Sequence, residues 1–258
     1  GVLVTGLMTL WLPDYGWRGS LEYLAAVLLI VVVPVVFWCI RNWPKDTKND
    51  EAVAENARGS VSRAKQLTSK DILANSNFWW LSISLGLLFS TYTAILSNLT
   101  PYAAQLGRGS DLASGLIIVV AISGLVGKLL FGAAADIMSH KLALWMAQLL
   151  LALGYALLAV APDYGLVILA CMSIGLAAGG MLPVWGALTA EIFGLTSYGR
   201  AFGLMGPIVT IFVMVGFPLT GRLYDITGSF ALCLWIYTGL MVVAAALLMP
   251  LRLPKKAA

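Results

Sequence analysis

The sequence predicts an all-α protein that crosses a membrane several times. Three observations predict this. Of 258 residues 60% are hydrophobic and only 11% charged, where a soluble domain carries about 25% charged residues. The apolar residues come in blocks of about twenty, the length that spans ~30 Å of hydrocarbon as a helix. The alternating pattern of a membrane β-barrel is absent.

Apolar runs and helix breakers set the elements in order. A first block ends at Leu12, and a second runs over Ser20–Ile40. Twelve residues make only about 18 Å of helix. Because the chain also opens on Gly, the expectation is a fragment that starts partway through a helix. The stretch Arg41–Ser76 is different: it holds twelve of the 28 charged residues, seven of them Lys or Arg. Its charges alternate in sign and predict a solvated linker between two domains. Within it "TSKD", Thr68 to Asp71, has the spacing of a capping box and predicts a short helix leading into the next span.

Six further spans follow, over Asn77–Thr100, Leu112–Ala135, Leu142–Ala161, Gly165–Leu188, Arg200–Gly221 and Ser229–Leu251. Pro101 is expected to end or kink the first of these. Pro183 and Gly186 should loosen the fourth at mid-depth. The stretches Gly206-Pro207 and Gly216-Phe217-Pro218 should break the fifth, either as bends that a transporter uses or as kinks tolerated for packing.

The basic residues orient the chain. The linker, His140-Lys141, Arg200 and the final Arg252, Lys255 and Lys256 fall on alternate connections, which places that side in the cytoplasm. The signs are balanced on the other side, at Asp14, Arg18, Arg108, Asp111, Asp163, Arg222 and Asp225. The net charge of +4 therefore reports orientation in a lipid bilayer and not a nucleic-acid partner. Cys39, Cys171 and Cys233 lie in separate apolar blocks and read as small core residues without a metal spacing.

The residue out of place is Lys128 in "SGLVGKLLFGAAAD", Ser123 to Asp136. It lies eight residues before Asp136, about 12 Å deep and near the midplane. An ammonium there costs ~2.5–3.5 kcal/mol on insertion scales, and a Lys stem reaches only about 6 Å toward water. Gly124 and Gly132 flank it on one face, with Ala121 and Ala135 beyond; Ile118, Ile122, Val126, Leu129 and Leu130 lie opposite. The small face suits a helix neighbour or an aqueous cavity. Lys128 then either meets an anion in that cavity or pairs with a carboxylate on another helix.

Other polar residues within the spans join the candidate list. Tyr92 is expected to reach the cavity. Asn98 either reaches it or bonds a neighbouring helix. Trp185 lies deep, away from the interfacial belt, and either lines the path or packs in the core. Asp136, Glu191 and Arg200 sit at the cytoplasmic ends of spans. They are either solvated charges or a network that latches one conformational state.

Several function classes are excluded. An intramembrane hydrolase needs a nucleophile with its base, or paired carboxylates, within the spans; the single His140 falls in a connection. No G-x-S-x-G, no H-E-x-x-H and no Walker-type phosphate loop occurs, so no cofactor or metal is implied.

Order and short motifs together point to a family. Two helices, a charged linker and six helices resemble the major facilitator superfamily from its fifth span onward. "GAAADIMSHK", Gly132 to Lys141, is similar to that family's loop motif, although Ile137 stands where a basic residue is usual and Ser139 where a Gly is usual. "GRLYDITGSF", Gly221 to Phe230, resembles its turn between the last two helices. "AEIFG", Ala190 to Gly194, and "GRAFG", Gly199 to Gly203, resemble the end of its tenth helix and the start of its eleventh. Within the family, "GKLLFG", "EIFG" and "YDITGS" look most like the monocarboxylate and oxalate:formate branch.

The resemblance implies a C-terminal six-helix bundle, residues 77–258, plus about two helices of an N-terminal bundle, residues 1–40, joined by the 41–76 linker. It implies a multi-pass protein of a bacterial inner membrane or a plasma membrane. It further implies alternating access, a small organic anion as substrate with Lys128 as its anchor, and a coupling proton or an exchanged anion. Gating falls to Asp136, Glu191, Arg200, Gly206 and Pro207. Monocarboxylate transporters often carry an Asp one turn before the basic residue, where this chain has Gly124, which argues against proton coupling by an Asp–Lys pair. Export of a neutral or amphiphilic compound, or a non-transporting sensor on the same fold, are the alternatives.

Overall fold

The computed structural model describes residues 2–41, 66–107, 110–160, 163–251 and 253. The described residues are helical almost throughout and contain no strand. The chain divides into two units, residues 1–64 and 65–258.

In the first unit α1 runs over Val2–Val27 and is broken in direction at Gly16, whose φ of 64° and ψ of 179° lie outside the helical region. Only a residue without Cβ adopts that backbone cheaply. Trp11 and Tyr23 consequently meet at 5.8 Å, although twelve residues of straight helix would hold them about 18 Å apart. A wider π turn over Leu28–Val32 follows, and then α2, Val33–Arg41. Pro34 explains the widening. It has no N–H for the carbonyl four residues back, and its ring would press on that carbonyl in a regular α-helix. Asp14–Trp38 is long and apolar enough to cross a membrane. The sequence reading ended the first block at Leu12, whereas the helix continues to Gly16, because Pro13 is compatible with a helix in this context.

The second unit begins with the helix that the Thr68–Asp71 spacing predicts. Asp71 N–H donates to Thr68 Oγ1, Thr68 N–H donates to Asp71 Oδ2 at 2.9 Å, and α3 runs over Ser69–Ala74. Then come α4 (Ser76–Gln105), α5 (Ser110–Ile137), α6 (His140–Val160), α7 (Tyr164–Phe193), α8 (Tyr198–Thr227) and α9 (Ala231–Leu247). The first five of these are long and apolar enough to span, and α9 is a shorter apolar helix of 17 residues.

Helix α7 packs between α5 and α6; α4 packs along α8; α9 bridges α4 and α6. The α5–α7 seam is the tightest. A Cβ at Gly127 would lie 2.3 Å from the Leu176 carbonyl oxygen, and one at Gly179 would lie 2.4 Å from that of Gly124. Close backbone approach of this kind holds helices together in a medium where apolar burial drives little. Polar side chains tie the remaining seams. Ser90 Oγ donates to the Phe212 carbonyl at 2.7 Å, joining α4 to α8. Tyr155 hydroxyl donates to Thr91 at 3.2 Å, and Tyr237 hydrogen-bonds Thr220. Gln148 Nε2 donates to Ser84 Oγ, which donates to the Ala244 carbonyl.

No helix ends at the four prolines expected to end, kink or loosen the spans. Pro101 lies inside α4, Pro183 inside α7, and Pro207 and Pro218 inside α8, and each helix runs on through them. In apolar surroundings the helix is the main way to satisfy the backbone, so one lost bond does not stop it.

The bundle has two ends. At the linker end, Leu67 N–H donates to Ser197 Oγ, His140 meets Glu191, and Lys141 reaches the carbonyls of Met249 and Leu251. At the far end, Tyr102 hydroxyl donates to the Leu158 carbonyl at 2.7 Å and Gln105 contacts Gly228 and Phe230.

Candidate functional site

Lys128 sits on α5 beside the tight seam. A Cβ at Gly179, in the middle of the 30-residue α7, would lie 2.5 Å from Lys128 N. Lys128 is therefore level with the centre of the bundle. Its side chain is exposed and, among the described residues, makes no hydrogen bond, ion pair or ring contact. The buried face of α5 is Leu116, Val120, Ser123 and Phe131, with Gly127 between them. Gly132, expected on the packed or cavity face, is exposed with open space around it. Lys128 thus borders the packed stripe without entering it.

Tyr92 on α4 is half-buried, next to Thr91, which accepts from Tyr155. Asn98 donates its amide to the Ala94 carbonyl of its own helix at 2.8 Å. One of its two amide N–H groups is thereby used within its own helix. Trp185 is 6% exposed. Its ring stacks on Phe202 at 4.3 Å and meets Phe89 at 5.6 Å, and its Nε1–H donates to Met205 Sδ. Trp185 follows Gly179 by six residues, about 9 Å toward the linker end. No hydrogen bond, ion pair or ring contact joins Lys128 to Tyr92, Asn98 or Trp185 among the described residues. Sequence reasoning missed Phe89, Phe202 and Tyr198, which extend the Trp185 stack across α4 and α8. Their 198/202 spacing on one helix face was the available signal.

At the linker end Glu191 Oε2 lies 2.8 Å from Nδ1 of His140, the first residue of α6, each side chain about a fifth exposed. Arg200 donates to the Leu67 carbonyl. Glu191 and Arg200, expected either as solvated charges or as part of a latching network with Asp136, thus have partners within the second unit; the Asp136 side chain lies outside the described residues. Gly206 and Pro207 lie within continuous α8, Gly206 with open space beside it and Pro207 exposed.

An unpaired ammonium at mid-depth beside a close-packed seam can hold an anion, and a paired charge at the bundle's end can join or release two helices. Comparison with known proteins identifies the family. The model of the Major Facilitator Superfamily matches residues 112–258. Over 242 residues the chain is 28% identical to monocarboxylate transporter 13 of Rattus norvegicus, covering 92% of this chain and 51% of the relative. The Bos taurus counterpart is 30% identical, with 92% and 52% covered. The Agnestins efflux protein AgnL12 of Paecilomyces divaricatus is 26% identical over 182 residues, with 70% and 42% covered. The chain spans about half the length of these curated relatives. It is an integral multi-pass membrane protein, and with more than half its length matched, it belongs to the Major Facilitator Superfamily.

Proposed function

We propose that the protein is a secondary transporter that moves a small organic anion, a mono- or dicarboxylate, by alternating access, with Lys128 as the anchor for the carboxylate. The observation that carries this is the exposed ammonium level with the middle of α7, without a partner among the described residues. An ion left so deep is costly, and a transported anion offsets that cost only while bound. The names of the monocarboxylate transporter relatives support the same cargo class. Residues 1–40 act as part of one bundle and 77–258 as the other, the 41–76 linker lies in the cytoplasm, and substrate is held near the midplane. Tyr92 and the Trp185 stack border the path, while Asp136, Glu191, Arg200 and the Gly206-Pro207 step govern its closure. A coupling proton or a counter-anion supplies the energy.

Uptake of labelled carboxylates into vesicles bearing the full-length protein tests this. Lys128→Gln is expected to weaken apparent affinity by about 10- to 100-fold, the range for a hydrogen bond to a charged group. Lys128→Arg should keep part of the activity because the charge remains while the geometry changes. Unchanged affinity and rate in Lys128→Gln would sink the anion assignment. Export of a neutral amphiphile is the second reading, favoured by the efflux relative; export that survives Lys128→Gln would select it.

A further inference from the structure

A groove of about 310 Å³ runs along the outside of the second unit between α6 and α9. Leu142, Met146, Leu149 and Ala152 line it on α6, with Val242 and Ala245 facing them. Leu149 and Val242 are 69% and 64% exposed, so the groove opens outward where the spans meet hydrocarbon. From Leu142 to Ala152 is about 15 Å of helix, half of a ~30 Å core and so the depth of one leaflet. Among the described residues, the ammonium of Lys141 stands at the shallow end. Lys141 Nζ lies 5.2 Å from the ring centre of Trp145, another lining residue, and donates to the carbonyls of Met249 and Leu251, both at 3.0 Å. An ammonium has three N–H donors, so one remains for a ligand.

We propose that this groove is a binding site for an anionic phospholipid of the linker-side leaflet, one acyl chain lying along the groove and the phosphate on Lys141. The match of groove length to leaflet depth selects an acyl chain, and the ammonium at the mouth selects a negative headgroup. The site is separate from Lys128 and independent of any transported substrate.

The test uses the full-length protein in vesicles and the part of the tryptophan fluorescence that Trp145→Phe removes. Brominated phosphatidylglycerol should quench that component with about fivefold greater relative affinity than brominated phosphatidylcholine, the scale for one Lys at a membrane surface. Lys141→Gln should abolish the preference while leaving quenching by phosphatidylcholine, and Lys141→Arg should retain it. Ala152→Phe, which fills the deep end, should lower quenching by both lipids. Equal quenching by the two lipids in the unaltered protein overturns the proposal. So does the lack of any Trp145-dependent quenching, the result expected if a second copy or another protein covers the groove. A preference that persists in a folded Lys141→Gln also overturns it.

Discussion

The pair Ser84 and Gln148 gives opposite expectations for two neighbouring substitutions. Ser84 commits its proton to the Ala244 carbonyl, so it accepts from Gln148 Nε2 at 2.8 Å. Gln148 Oε1 then has no partner although it is enclosed. Removing an acceptor that is already unsatisfied costs little, so Gln148→Leu should change stability by less than about 1 kcal/mol, or raise it. Ser84→Ala strands the Gln148 donor and the Ala244 carbonyl together and should cost about 1–3 kcal/mol. Denaturant melts of the two variants in detergent check the order; a Gln148→Leu protein less stable than Ser84→Ala refutes it. Neither partner is visible in the sequence, because a Gln and a Ser 64 residues apart give no sign that two helices bring them together.

At the scale of elements, α5 and α7 depend on the absence of side chains between them. Gly179→Val would put a methine carbon against the backbone of both Gly124 and Lys128, and neither can rotate away as a side chain can. The helices must separate, at a cost of about 1–3 kcal/mol. Lys128 would move with α5, so transport should fall even where the variant inserts; thermal melts with uptake assays read both effects. Element number and order were legible because apolar run length is a direct measure of hydrocarbon thickness. Helix ends were less so: α4, α7 and α8 run on to Gln105, Phe193 and Thr227. A proline or glycine that stops a helix in water is bridged where the competing hydration is missing. The packed face of α5 was only partly legible, since Gly124, Gly127 and Gly132 fall on adjacent stripes and composition alone does not say which stripe the neighbour takes.

For the molecule as a whole, the contacts at each end group the connections into two sets. In a chain with Cys39, Cys171 and Cys233 replaced, cysteines at Ser139 and Leu195 should react from one side of the membrane, and cysteines at Leu106 and Ile226 from the other. If the first set is cytoplasmic, as the Lys/Arg asymmetry predicts, an impermeant reagent outside intact cells should label only the second. Labelling at Ser139 from outside would overturn the orientation. The candidate site was legible as single residues and not as a constellation. Lys128 stood out because its cost is local, whereas the partners of Trp185 and Glu191 come from helices that only the fold brings near.

Residue 67 is held by both sides of its backbone. Its N–H is bound to Ser197, its carbonyl accepts from Arg200, and Gln66 reaches the Thr196 carbonyl. The Thr68–Asp71 box stiffens the next turn. The chain is thus moored to the turn where α8 begins, and tension applied to residue 66 is delivered there before it reaches α4. Any displacement of residue 66 therefore reaches the start of α8, the helix that carries Pro207 and Pro218, before it reaches the other spans.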